Sequence, residues 1–245
     1  MFKNYVAVVT GASRGIGYGT AKALAAEGAH VIAIARTVGS LEALDDDIKA
    51  AGGGETTLVP LDITDYDALD RLGGVIAEKY GKLDILIGNA ATLGDITPIS
   101  HLKPKVWHQL MDINVTANYR LIRSLDPLLR ASDNGRAVFL GSSNVARDPR
   151  PFWGGYAVSK AALECLVKTY AQEIEMSNLR VNILNPGALR TAMRARAVPG
   201  EDASTLDTPA DLMPLMLTLC SPDFNDNGKV ADYKMWKEDK NNFFF

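Results

Sequence analysis

The chain has 245 residues, 47% of them hydrophobic and 22% charged, which supplies a substantial apolar core and fits one domain over residues 1–245. Its 26 lysines and arginines against 29 aspartates and glutamates leave a formal charge of −3, and without a basic run nucleic acid is not an expected partner. No stretch approaches the roughly 18 apolar residues of a membrane span and no basic, apolar leader opens the chain, so the expectation is a cytoplasmic protein without membrane contact.

In chain order, Tyr5–Thr10 reads as a short apolar strand, ended by Gly11 and followed by helical spacing from Ile16 to Ala26. His30–Ala35 repeats the strand signal, Leu41–Ala50 reads as a helix, and Gly52-Gly53-Gly54 ends it before a strand at Thr57–Leu61. Thr64-Asp65-Tyr66-Asp67 has the form of a capping box opening a helix to Tyr80, and Gly81 stops it before Leu83–Ile87. Val106 to about Leu129 predicts one helix, Ala137–Leu140 a strand, Ala157–Met176 a long helix and Val181–Leu184 a buried strand. Thr208-Pro209 starts a further helix. Short β-branched strands alternating with helices need cover on both sheet faces, which predicts an α/β fold: a single-domain, Rossmann-like, doubly wound parallel sheet. The long polar connection Thr191–Thr208 follows a strand end, and residues 191–208 are expected to form a substrate cover. Cys165 and Cys220 make neither a C-x-x-C pair nor a cluster, so no metal site is expected.

T-G-A-S-R-G-I-G at residues 10–17 lies between the first strand and the first helix. There Gly11 permits a tight turn, Gly15 lets backbone approach a pyrophosphate, and Gly17 allows close helix–strand packing at a helix N-terminus that favours anions. Gly11-Ala12-Ser13-Arg14-Gly15 also fits the nucleophile elbow of serine hydrolases. That chemistry needs a histidine base oriented by a carboxylate, and His30, His101 and His108 have no neighbouring feature of a triad. Where dinucleotide folds select between NAD and NADP, at the end of the second strand, the chain reads Ala33-Ile34-Ala35-Arg36-Thr37. It offers no carboxylate for a ribose 2′-hydroxyl, whereas Arg36 and Arg14 could clamp a 2′-phosphate, so NADP(H) is the expected cofactor. Asp62 could accept from an adenine amino group or cap the next helix.

Tyr156 and Lys160 are four residues apart at the start of the long helix and share one face. A phenol has an ordinary pKa of about 10, and a neighbouring ammonium with a cationic nicotinamide favours the phenolate that proton transfer requires. The same spacing occurs on many solvated helices. Ser143 lies thirteen positions upstream, just beyond a strand end, where a hydroxyl could polarise a carbonyl or simply shape the loop.

Together, the glycine turn at 10–17, Asp62, Asn89-Ala90, Asn114 in D-I-N-V, Ser143, Y-x-x-x-K at 156–160, and Pro186-Gly187 followed by Thr191 resemble the short-chain dehydrogenase/reductase family along nearly the whole chain. The resemblance implies that Tyr156 donates or accepts the proton, Lys160 holds the nicotinamide ribose and lowers the tyrosine pKa, Ser143 orients the carbonyl, and Asn114 supports a water relay. It implies cofactor contacts at Gly11, Ser13, Arg14, Gly15, Ile16, Gly17, Arg36, Asp62, Ile63, Asn89 and Ala90. Tyr156, Lys160, Pro186, Gly187 and Thr191 would contact the nicotinamide end. Two departures stand out. The family's N-N-A-G is Gly88-Asn89-Ala90-Ala91 here, and the C-terminal V-D-G-G is absent from a chain that ends Phe243-Phe244-Phe245. The stretch from Arg190 to Asp202 is similar to a bacterial branch of oxidoreductases in this family. The expected activity is hydride transfer between nicotinamide and a small-molecule carbonyl or secondary alcohol, in a homodimer or homotetramer. A protein that binds NADP(H) and turns nothing over is the alternative. Phe152, Trp153 and Met193 would either wall the substrate or pack their loops.

Overall fold

In the computed structural model, which describes residues 1–245, the alternation becomes β1 (Val6–Thr10), α1 (Gly15–Ala26), β2 (His30–Ala35), α2 (Val38–Ala50), β3 (Thr56–Pro60), α3 (Tyr66–Tyr80) and β4 (Ile85–Gly88). The second half continues with α4 (Pro104–Met111), α5 (Ala117–Arg130), β5 (Arg136–Leu140), α6 (Ser143–Arg147), α7 (Gly154–Glu173) and β6 (Arg180–Asn185). It closes with α8 (Ala192–Ala197), α9 (Pro209–Cys220), β7 (Val230–Asp232) and α10 (Tyr233–Glu238). All seven strands pair in parallel in the order β3-β2-β1-β4-β5-β6-β7.

Side chains alternate across the pleat, so each strand feeds two cores. Ala7, Val9, Val31 and Ala33 join α1, α2 and α9 on one face, while Val6, Val8, Ile32 and Ile34 join α3, α5 and α7 on the other. This double burial is the reason the strands read as continuous apolar runs rather than alternating ones.

Three local departures from the expected elements have physical causes. Thr64 does not cap α3: its amide and hydroxyl both donate to Asp62, and Asp65 is the N-cap, accepting from the Ala68 amide at 3.0 Å. The helix expected over Val106–Leu129 is interrupted by a π-helical turn at Asp112–Thr116, where Asn118 Nδ2 donates to the Asn114 carbonyl at 2.9 Å. The C-terminus, which matched no motif, supplies β7 as the seventh strand, and the tail folds back beside it. Phe245 N–H donates to the Val230 carbonyl, Asp232 N–H donates to the Phe243 carbonyl, and Phe243 is buried.

Candidate active site

Strand order reverses between β1 and β4, and open parallel sheets bind ligands at the carboxyl ends of strands beside such a point. Thr10 Oγ1 donates to the Ile87 carbonyl at 3.1 Å and accepts from the amides of Asn89 and Ala90 at 3.0 Å each. Asn89 Nδ2 donates to the carbonyls of Thr10 at 2.8 Å and Gly11 at 3.3 Å. Asn89 thus ties the two strand ends together. Space around the glycine turn is tight: a Cβ on Gly11 would stand 2.8 Å from Asn89 Nδ2, and one on Gly17 would stand 2.4 Å from the Gly11 carbonyl oxygen. Gly88, which replaces the family's first asparagine, faces Phe139 and Asn118, and a Cβ there would meet the Phe139 ring at 2.3 Å. Only glycine fits that packing.

From this crevice a cleft of about 1380 Å³ runs over the sheet edge. Gly11, Ser13, Arg14, Gly15, Ile16, Arg36, Asp62, Ile63, Asn89 and Ala90 line one end, while Gly17 lies beneath, packed on Gly11 and Asn89. Arg36 Nη1 lies 3.7 Å from Asp62 Oδ2. Burial works to raise the Asp62 carboxyl, but hydrogen bonds from the Thr64 amide and hydroxyl, with the Arg36 charge, hold it below the ordinary range. None of His30, His101 and His108 lines the cleft. His30 is engaged with Thr57 and Tyr80, so the serine-hydrolase alternative has no base beside Ser13.

At the other end of the cleft, α7 presents Tyr156 and Lys160, both buried, with the Lys160 ammonium 5.8 Å from the centre of the Tyr156 ring. Lys160 Nζ donates to the Leu140 carbonyl at the end of β5 at 2.7 Å. Burial pulls this lysine down to about 8 and pushes the Tyr156 phenol up to about 12, with Ser142 within hydrogen-bonding reach pulling the phenol the other way.

The two serines after β5 point in different directions. Ser142 lines the cleft beside Tyr156. Ser143, singled out by its spacing, has no exposed surface and donates from Oγ to Glu164 Oε2 at 2.9 Å. Glu164 also accepts from Arg147 at 2.6 Å and Lys168 at 2.7 Å. Counting positions selected Ser143, but adjacent side chains leaving a strand face opposite ways, and α6 begins at Ser143 and turns it beneath the loop. Asn114 is likewise enclosed. Its Oδ1 accepts from the Thr92 amide at 2.8 Å, and its Nδ2 donates to the Thr92 carbonyl and to Ser159 Oγ at 2.9 Å each. Its carbonyl is engaged by Asn118.

Of residues 191–208, Thr191 to Arg194, Arg196 and Ala197 line this end, and the segment is not a loop alone: it contains α8 and a 3-10 turn at Ala203–Thr205. Thr191 caps α8, accepting from the Arg194 amide at 3.2 Å. Pro186, Gly187, Thr191 and Met193 line the cleft with Trp153, whose ring packs edge-on to Tyr156 at 6.2 Å. Phe152 does not join them. It has φ +73°, is 55% exposed and projects away from the lining, so the wall contains Trp153 and Met193 without it.

The sequence model for short chain dehydrogenase matches residues 5–202. The chain belongs to the short-chain dehydrogenase family. It is 41% identical over 225 residues to the Escherichia coli oxidoreductase YciK, covering 91% of this chain and 88% of that protein. A short chain dehydrogenase from Pseudomonas syringae superimposes with a TM-score of 0.91 at 40% identity, over 94% of this chain and 95% of that one. An Escherichia coli short chain dehydrogenase solved in complex with NADPH matches with a TM-score of 0.88 at 40% identity, over 94% and 97% of the two chains.

Proposed function

We propose that this short-chain dehydrogenase is an NADP(H)-dependent oxidoreductase that interconverts a carbonyl and a secondary alcohol, with Tyr156 as general acid and base. One observation carries the reading: the buried Tyr156–Lys160 pair and the Ser142 hydroxyl open onto the same cleft as the glycine turn. The residues present fit the dinucleotide. Gly15 has φ +59° and its Cβ direction is open, with Thr191 Cγ2 the nearest atom at 3.8 Å, so backbone is free to approach a pyrophosphate. Arg14 and Arg36 line the same end of the cleft and would clamp a 2′-phosphate, a reading supported by the NADPH complex of the Escherichia coli relative.

The bound nicotinamide would supply or accept the hydride. The rest belongs to the chain. Tyr156 donates its proton to the oxygen of the reduced carbonyl, or removes it in the oxidative direction. Ser142, rather than Ser143, directs a hydroxyl at the oxygen on which negative charge develops. Lys160, anchored on Leu140, holds its ammonium beside the phenol, where it would bind the nicotinamide ribose. Asn114 joins the Thr92 backbone to Ser159 and so fixes α7 against the loop that follows β4. Trp153, Met193 and Leu93 give the pocket apolar walls.

A panel of ketones, aldehydes and secondary alcohols, assayed with NADPH, NADP⁺ and their NAD counterparts, tests this reading. Turnover of at least one carbonyl with deuterium transfer from 4-deuterated NADPH is expected. Tight NADPH binding with no transfer to any member would favour the non-catalytic alternative.

A further inference from the structure

We propose that the carbonyl substrate carries its own anionic group, a carboxylate or a phosphate, received by Arg150 and Arg196 at the cover end of the cleft. This rests on the redox reading above and specifies its substrate class. The starting observation is local charge. The chain as a whole is acidic, at −3, yet Asp62 is the one carboxylate lining the cleft. The excess of positive charge is therefore built into the cleft, where low-dielectric walls focus it.

At the dinucleotide end, Arg14 and Arg36 have a natural use in phosphate binding. The arginines at the other end do not share it, and they differ in what already engages them. Arg194 is neutralised by a two-pronged pair with Glu201, at 2.5 Å for each contact. Arg190 gives one N–H to the Leu206 carbonyl at 3.2 Å. Arg196 donates to the Gly94 carbonyl at 2.5 Å and has only Asp95 nearby, at 3.9 Å with both side chains more than half exposed, a pairing that leaves its charge largely available. Arg150 is an exposed cleft-lining residue with no ion pair within 4.0 Å and no side-chain hydrogen bond.

Both residues adjoin the wall around Tyr156, Arg150 through its backbone and Arg196 through its guanidinium. The Arg150 carbonyl accepts from the Trp153 amide, and the Trp153 ring packs against Tyr156. Arg196 holds Gly94, next to Leu93. The following residue, Ala197, packs on the small cluster formed by Leu93, Leu110, Val145 and Tyr156. One arginine thus comes from the segment before α7 and the other from α8, and both line the cleft onto which the phenol opens. A substrate with its carbonyl at Tyr156 and a short apolar link would bring a terminal anion into the part of the cleft that these two arginines line. Guanidinium forks match carboxylate and phosphate oxygens in geometry as well as charge.

The test compares matched probes that differ in charge: 4-oxopentanoate with its methyl ester, and dihydroxyacetone phosphate with dihydroxyacetone. Binding to the protein–NADPH complex is read by nicotinamide fluorescence at low salt, and turnover by NADPH oxidation. In at least one pair the charged member should bind about tenfold more tightly, the order expected for a charge-assisted hydrogen bond. The responding pair identifies carboxylate or phosphate as the group received. Arg150→Gln and Arg196→Gln should each cut that preference about threefold or more, and Arg150→Lys should keep most of it, with circular dichroism melts verifying the fold. Charged and neutral members binding equally in both pairs would overturn the proposal, as would a preference unmoved by both glutamine substitutions. A charge preference without turnover of any carbonyl would leave the anion site standing and remove the redox reading alone.

Discussion

Exchanging each serine after β5 for alanine separates two roles that spacing alone assigns to one residue. Ser142→Ala removes the hydroxyl beside the Tyr156 phenol. Loss of one donor to a developing oxyanion lowers turnover by about 10²–10³-fold, so kcat should fall by that order. The fold should change little, because no other side chain or amide bonds to the Ser142 hydroxyl. Ser143→Ala instead removes a buried donor to Glu164, whose carboxylate keeps Arg147 and Lys168. A hydrogen bond of this kind to a group that retains other partners contributes about 1 kcal/mol. In a chain of this size that lowers Tm by about 2–4 °C, with kcat reduced only as far as α6 loosens. Steady-state kinetics on a substrate found in the panel, together with a thermal melt, provides both readouts. If Ser143→Ala abolished turnover at an unchanged Tm while Ser142→Ala remained active, the assignment of the oxyanion hydroxyl would be wrong.

Three further outcomes follow from the same coordinates. Arg36→Gln should weaken NADPH about tenfold relative to NADH, as read by fluorescence titration, and equal losses for the two cofactors would remove Arg36 from 2′-phosphate recognition. Burial lowers Lys160 from 10.5 to about 8, so between those values the unfolded chain holds a proton the folded chain has released. Stability relative to Lys160→Met should therefore rise with pH across that window and level off below about 8; melts that show no such trend would argue against an ammonium buried at that position. Deleting Phe243–Phe245 removes a buried ring and uncovers the edge of β7. The lost burial of about 1.5–3 kcal/mol should lower Tm by several degrees, and an unchanged melt would mean that the tail does not cover the strand.

The sheet was legible because doubly buried strands leave a plain mark. Tyr5–Thr10, His30–Ala35 and Ile85–Ile87 place apolar side chains on both faces, and punctuation at Gly11, Gly28 and Gly81 separates them from helices. Tyr156 and Lys160 were legible for a similar reason, since a four-residue interval survives any rigid placement of the helix that carries it. What failed to show in the sequence depends on direction rather than interval. Whether Ser142 or Ser143 faces the cleft is decided by where α6 starts, and whether Phe152 walls the pocket is decided by a positive φ in a bulky residue. The π-helical turn at Asp112–Thr116 shares its apolar periodicity with the helices on either side and so reads as part of them. Neither Arg150 nor Arg196 belongs to a motif. They come together only in the fold, where both line the one cleft.

The central claim is that the Tyr156 phenol is the proton-transfer group of the cleft, and Tyr156→Phe isolates it by removing one oxygen from a buried ring. Single-turnover reduction at saturating NADPH should slow by about 10²–10⁴-fold, while NADPH affinity stays within about threefold because Lys160 and the glycine turn are untouched. A variant that reduced the carbonyl at the wild-type rate would contradict the account.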